Sequence, residues 1–403
     1  MIEPNLHANF GKPLAAIDQK MLGAEAAATV TALLRLYPGH KMTPLRSQQS
    51  LANTLGVGAI HIKDESSRLG LGSFKALGGA YAVVRLALEH CSRLLGREVT
   101  AAELLDPEIR ATMRGITVGC ATDGNHGRSV AAGANLVGCA ANIFVHEGVS
   151  EERVAAIARF GANIVPVKGS YDDAVATARG SCASEGWIIV SDTSWPGYER
   201  IPRLVMQGYT AMVAEILEQI PQPPTHVFLQ AGVGGFAAAV AAHLSLTLGC
   251  DRPRFVIVEP DRAACLLASN RAGRPVRIDP GEATVMAMLE CYAPSLLAWG
   301  VLSRLADGYM TVSDADAIAA MRHLAHAHGG DEPMIAGESG AAGLAGLIEA
   351  SRTPQDRALL GLDRDSRVLL VNTEGATDLE IYRRLTAVNL AGPILAEQAE
   401  RLA

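Results

Sequence analysis

The chain has 403 residues, 49% of them hydrophobic and 19% charged, with 40 glycines and few aromatics. That apolar content supports a large core, excludes a disordered or low-complexity chain, and at roughly 100 to 200 residues per domain points to two or three domains. Lys and Arg number 35 against 42 Asp and Glu, a formal charge of −7, so the surface offers no basic field for nucleic acid. No stretch reaches the roughly 18 apolar residues of a membrane span. The seven cysteines are scattered without a CxxC pair, which argues against a structural zinc site. The opening residues, Met-Ile-Glu-Pro-Asn-Leu-His, lack the basic-then-apolar order of a secretory signal. The expectation is a cytoplasmic protein with reduced thiols, no metal, and neither nucleic acid nor membrane as a partner.

Along the chain, short β-branched runs alternate with Ala-rich stretches, the pattern of parallel sheets covered by helices in an α/β fold. Strands are expected at Ala59–Lys63, then at Ile116–Cys120, Asn142–His146, Asn163–Val167 and Trp187–Ser191, and again at His226–Gln230, Phe255–Glu259, Tyr309–Ser313 and Val368–Asn372. Helices join the middle four. Gly124–Gly138 ends in glycine, Ser150–Phe160 starts on a capping serine with Glu151 and Glu152 in its first turn, and Tyr171–Glu185 stops before Gly186. This middle block reads as a small α/β domain, residues 89–211, inserted into a large one made of 1–88 and 212–403. The stiff segment Pro221-Gln-Pro-Pro224 is the expected return connection.

Four loops at expected strand ends carry chemistry, since ligands in open α/β sheets bind at the carboxyl ends of strands. In Ser73-Phe74-Lys75-Ala-Leu-Gly-Gly79, Lys75 opens an apolar helix. Such a lysine either snorkels to water or serves as a Schiff-base amine. In Thr122-Asp-Gly-Asn-His-Gly-Arg128, Asp123 is either an acid/base group or a helix cap, Asn125 can donate to a phenolate oxygen, and His126 reads as a hydrogen-bonding residue because no second ligand stands beside it. In Ala231-Gly232-Val233-Gly234-Gly235, small residues let backbone N–H groups approach a phosphate at a helix start. The same loop fits a dinucleotide fingerprint, Gly232-x-Gly234-x-x-Ala237, with Glu259 ending the next strand. In Asn372-Thr373-Glu-Gly375, the Thr373 hydroxyl suits a ring nitrogen. Gly337-Glu338-Ser339-Gly340 is a similar loop, its serine a plausible helix cap. Asp192, in Asp192-Thr-Ser-Trp-Pro-Gly-Tyr198, is either a solvated turn residue or the second acid of a pair facing an amine-bearing substrate.

Together these loops resemble the β-family, or fold type II, of pyridoxal phosphate enzymes, and within it the diaminopropionate ammonia-lyases. Thr-Asp-Gly-Asn-His-Gly-Arg at 122–128 is similar to the hallmark of those lyases, where the dehydratases of the family have Ser in place of Asp. The resemblance implies two open, mostly parallel sheets, a small domain inserted in a large one, and a homodimer. It implies that Lys75 holds pyridoxal 5'-phosphate, beside Phe74. It gives the phosphate to Gly232, Val233, Gly234 and Gly235, the ring hydroxyl to Asn125, and the remaining cofactor contacts to Glu338 and Thr373. Asp123 and Lys75 would act as bases on opposite faces of the substrate, admitting both α-carbon configurations. Asp192 would bind the side-chain ammonium of a small amino acid, with Ser73 and Met288 also against the substrate. The implied reaction is α,β-elimination of 2,3-diaminopropionate to pyruvate and ammonia. Elimination, dehydration or racemisation of another β-substituted or hydroxy amino acid uses the same groups. A nicotinamide oxidoreductase built on Gly232 and Glu259, and a non-catalytic amino-acid binder, stand as more distant alternatives.

One segment departs from the pattern. Where the lyases carry Gly and Gly-Glu-Pro, this chain has Met288 and Tyr292-Ala-Pro294, which removes a carboxylate and adds bulk. The resemblance also implies a cysteine pair at Cys265 and Cys291.

Overall fold

The computed structural model describes residues 1–388 apart from 38, 105, 123 and 328. Two compact units divide the chain: residues 1–24, 42–73 and 212 onward form the first, and 25–41 with 74–211 form the second. Eleven strands run through the described residues: β1 (Glu3–Pro4), β2 (Leu45–Ser47), β3 (Ala59–Asp64), β4 (Thr117–Ala121), β5 (Ala140–His146), β6 (Asn163–Val167), β7 (Ile188–Ile189), β8 (His226–Gln230), β9 (Arg254–Pro260), β10 (Gly308–Val312) and β11 (Arg367–Asn372).

The first unit is built on a seven-stranded sheet in the order β1-β10-β9-β8-β11-β3-β2. The five inner strands are parallel, and β1 and β2 close the edges antiparallel. Parallel strands covered on both faces need apolar side chains on both, and β8 is buried along its whole length. Ile60, Ile62, Phe228, Val256, Val258, Val368 and Leu370 meet helix residues such as Ala317, Leu344 and Leu347 in one core. The second unit carries a parallel four-stranded sheet, β6-β5-β4-β7. β4 and β7 are neighbours there, so the loops after them, 122–128 and 190–198, leave the same sheet edge.

The nine expected strands are all present, with ends displaced by at most two residues. The edge pieces β1 and β2 have no periodic signal of their own. A domain boundary at 88/89 would cut the helix Lys75–Leu95; the units part instead at 73/74. The reason is packing within the second unit. A Cβ on Gly79 would stand 2.8 Å from Ser129 Oγ, and one on Gly133 would stand 2.9 Å from Ala80 Cα. Glycine at both places lets the helices Lys75–Leu95 and Asn125–Val137 pack backbone to backbone. Ala80 N–H donates to Ser129 Oγ at 2.8 Å across that contact. Among the described residues no helix is long and apolar enough to cross a membrane.

Candidate active site

The candidate residues fall in both units, and each set has its own geometry. In the second unit Lys75 is the first residue of its helix. It does not run out to solvent. Its Nζ lies 2.5 Å from Asp192 Oδ2, and the two side chains are 21% and 13% exposed. Burial opposes the charge on Asp192, but the adjacent Lys75 ammonium outweighs it and holds the carboxyl well below the usual carboxylate range. Asp192 is therefore not a solvated turn residue. Its loop is clamped: the Tyr198 hydroxyl donates to Ile189 O at 2.8 Å and accepts Ser191 N–H at 2.9 Å. Trp195 stacks on Tyr198 at 4.1 Å, with the Arg179 guanidinium 4.4 Å above the indole.

The loop 122–128 is held by its own threonine. Thr122 Oγ1 accepts the N–H of Gly124 and of Gly127, both at 2.9 Å. A Cβ at Gly127 would fall 2.3 Å from Thr122 Cγ2, so that position needs glycine. Asn125 is buried at the helix start. His126 is buried too, which pushes its pKa down, and its Nε2 lies 2.9 Å from Val190 O. A neutral ring donating Nε2–H to that carbonyl ties this loop to the chain two residues before Asp192, a structural role. Asp123 lies outside the described residues. Phe74 is buried with its ring 4.8 Å from that of Tyr209. Tyr209 reads in sequence as one more apolar position of a helix, and only the fold brings it here.

In the first unit the loop between β8 and the helix Gly235–Leu248 forms a cradle. Gly234 caps that helix with φ +94°, and a Cβ there would stand 3.1 Å from Ala298 and Leu266. A Cβ on Gly232 would stand 2.9 Å from Cys291 Sγ. Ser295 N–H donates to Val233 O at 2.9 Å, so the segment carrying Met288 and Tyr292 packs on the cradle. Within that segment Glu290 accepts Thr284 N–H at 3.1 Å and Tyr292 O–H at 2.6 Å, and Met288 is half-buried. Cys265 and Cys291 both flank Gly232, and no disulfide joins them.

Thr373 follows β11, and its Oγ1 accepts Gln230 Nε2–H at 3.1 Å. With its oxygen so engaged, the hydroxyl proton is left to donate, which suits an unprotonated ring nitrogen. Gln230 is the residue that sequence reading missed. It also donates toward Ser339 O, Gly340 O and Val371 O, joining the end of β8 to the 337–340 loop and to the end of β11. Glu338 is buried in the loop whose Gly337 N–H reaches Glu374 O. Ser73 Oγ and Ser339 Oγ are buried without a hydrogen-bond partner among the described residues. Ser339 is not the helix cap expected of it, since the helix Ala342–Arg352 starts at Ala341 with no side-chain cap. Orphaned buried hydroxyls beside a glycine cradle at a helix N-terminus fit a phosphorylated, polar-ringed cofactor. The dinucleotide reading fits less well. Both Glu259 oxygens accept backbone N–H groups, from Leu266 and Leu267 at 2.7 Å each, and burial pushes the carboxyl up to about 8. Among the described residues no group of His, Cys, Asp and Glu is arranged to hold a metal ion.

Comparison with known proteins agrees with this chemistry. Residues 36–374 match the family described as pyridoxal-phosphate dependent enzyme. The chain is 40% identical over 353 residues to a diaminopropionate ammonia-lyase of Escherichia coli (strain K12), covering 86% of this chain and 87% of that one. It is 37% identical over 372 residues to the same-named protein of Salmonella typhimurium, covering 90% and 92%. A crystal structure of the Escherichia coli lyase in complex with an aminoacrylate-PLP azomethine reaction intermediate superposes with a TM-score of 0.85 at 36% identity, over 96% of each chain. The fold is fold type II, and the chain belongs to the pyridoxal-phosphate-dependent enzyme family, in kinship with the diaminopropionate ammonia-lyases.

Proposed function

We propose that the chain is a pyridoxal-phosphate-dependent carbon–nitrogen lyase that converts 2,3-diaminopropionate and water into pyruvate and two molecules of ammonia. The observation that carries this reading is the Lys75–Asp192 pair. A partly buried carboxylate already accepts a primary ammonium at 2.5 Å, in a chain of the pyridoxal-phosphate dependent enzyme family. With Lys75 engaged in holding the cofactor, Asp192 would be available for the side-chain ammonium of the substrate. A hydroxy amino acid carries no charge to match it.

When bound, pyridoxal phosphate supplies the electron sink that makes loss of the α-proton feasible. The chain's residues do the rest. Gly232, Val233, Gly234 and Gly235 hold the phosphate through backbone N–H groups. Thr373 donates to the ring nitrogen, Asn125 to the ring hydroxyl, and Phe74 and Glu338 complete the cofactor's surroundings. Lys75 and Asp123 move the α-proton on opposite faces, so D and L substrates are both accepted. Asp192 orients the leaving amine, and Ser73 and Met288 contact the substrate. The protein acts in the cytoplasm as a homodimer. The large unit serves as the cofactor-binding domain.

Two variants test these roles. Gly234→Ala forces a side chain into a left-handed conformation that costs about 1–2 kcal/mol, so cofactor affinity falls about ten-fold. Titrating stripped protein with pyridoxal phosphate measures it, and unchanged affinity would remove the loop from the cofactor site. Asp123→Asn lowers turnover of one enantiomer about ten-fold more than of the other. Steady-state rates on D- and L-diaminopropionate read this, and equal losses contradict the assignment of two bases.

A further inference from the structure

Beneath the loop that leads to Lys75 lies a cluster of four charges, all inside the first unit. Arg68 is fully buried and grips Glu65 at 2.7 and 2.8 Å and Glu215 at 2.6 and 2.7 Å. Lys63, also fully buried, reaches Glu215 at 2.7 Å, Gln219 at 2.8 Å and Thr43 O at 2.7 Å. The Thr43 hydroxyl joins Glu65 at 2.6 Å to Arg68 at 3.0 Å. A buried neutral cluster of this kind is often no more stable than apolar side chains of the same volume. What it supplies is direction, because a guanidinium held by two carboxylates fixes both position and plane.

The direction is needed immediately afterwards. Arg68 and Leu69 form a sharp turn with Leu69 at φ +52°, a conformation that suits glycine, closed by Leu71 N–H on Arg68 O at 2.8 Å. The chain then leaves through Gly72 and Ser73. Gly72 O accepts Gly375 N–H at 3.0 Å, Ser73 bridges Glu374, and Glu374 O accepts Gly337 N–H at 3.0 Å. One strained turn thus precedes the contacts that place Ser73, Thr373 and Glu338.

We propose that the Lys63–Glu65–Arg68–Glu215 cluster is a positioning device for the reaction, holding the Arg68–Leu69 turn so that Ser73 and the 373–375 loop stand where substrate and cofactor require them. This rests on the roles given above to Ser73 and Thr373. The four charged residues act through one another and through Thr43 and Gln219.

The test compares Arg68→Lys, Thr43→Val, and Arg68→Lys combined with Leu69→Gly, all as holoenzymes. Arg68→Lys keeps the charge and loses the two-sided grip, so kcat/KM on diaminopropionate falls about a hundred-fold, as expected for a displaced contact. The visible circular dichroism of the bound cofactor changes with it. Leu69→Gly removes the strain and recovers about ten-fold of that loss, which a merely structural role would not allow. Thr43→Val, the mildest change, raises KM about five-fold with little change in melting temperature. If Arg68→Lys does not fold, Thr43→Val decides alone. Wild-type kcat, KM and cofactor dichroism in folded Arg68→Lys and Thr43→Val protein, or no recovery from Leu69→Gly, would overturn the proposal. Should wild-type protein not turn over diaminopropionate, the dichroism and cofactor affinity of the same variants still decide, apart from the substrate assignment.

Discussion

Lys75→Ala abolishes the visible band of the bound cofactor at about 410–420 nm and lowers turnover about a thousand-fold or more. On the proposed roles three things are lost with one amine: the covalent anchor, a base, and the partner of Asp192. The last is a property of the fold itself. Removing Nζ leaves the Asp192 carboxylate, 13% exposed, without the ammonium 2.5 Å away that holds it ionised. A partly buried charge left unpaired costs about 1–3 kcal/mol, so cofactor-free Lys75→Ala also melts below the cofactor-free parent. An absorption spectrum, a pyruvate assay and a melting curve read the three effects separately. A visible band of parental intensity in the variant would mean that another amine carries the cofactor.

Asp192→Asn produces the second large effect. A hydrogen bond to a charged group contributes about 1.5–3 kcal/mol, so kcat/KM on diaminopropionate falls about 10- to 100-fold. The loss is selective. Amino acids with an uncharged β-substituent gain nothing from the carboxylate, so any slow turnover of serine changes much less. Equal losses on both would show that Asp192 serves general structure and not the substrate ammonium. The pH dependence has a definite sign. The folded pKa of Asp192 is depressed below its unfolded value near 3.8 by Lys75. Its contribution to the stability of the cofactor-free protein is therefore present above about pH 4 and lost as pH falls through the folded value. Asp192→Asn lacks that contribution, so its melting temperature lies below the parent's at pH 7 and the gap narrows in acid.

These predictions rest on residues that were largely legible before the fold. β8 and β6 fall on the expected residues because their short length, their β-branched and aromatic residues and their turn-forming flanks favour strand over helix. Lys75, Asn125, Gly234 and Thr373 could be singled out because each stands at a strand end or helix start, where ligands bind. The pairing of Lys75 with Asp192, 117 residues apart, could not be read from spacing. Nor could the grip of Arg68 on Glu215, 147 residues away. Local sequence reports propensity and periodicity, whereas such contacts are set by how helices stack on sheets. The division of the units at 73/74 has the same origin. Residues 74–88 look like the end of one domain, and only the glycine contacts with the helix Asn125–Val137 assign them to the other unit. Gln230 ends an expected strand and is given no role of its own, because a polar residue in that place has no motif. Its four hydrogen bonds reach two segments that the sequence keeps apart, the 337–340 loop and the end of β11.

Elimination of ammonia from diaminopropionate with pyridoxal phosphate makes a visible and a chemical signal together. It is tested most directly by recording the visible spectrum of the purified protein while D- and L-2,3-diaminopropionate are added in turn and pyruvate is followed. The expected result is a band at about 410–420 nm that changes on addition of either enantiomer, with pyruvate released from both. A band without pyruvate would move the substrate to another β-substituted amino acid and place the cause in the segment around Met288 and Tyr292. No band, even after pyridoxal phosphate is supplied, would contradict the account.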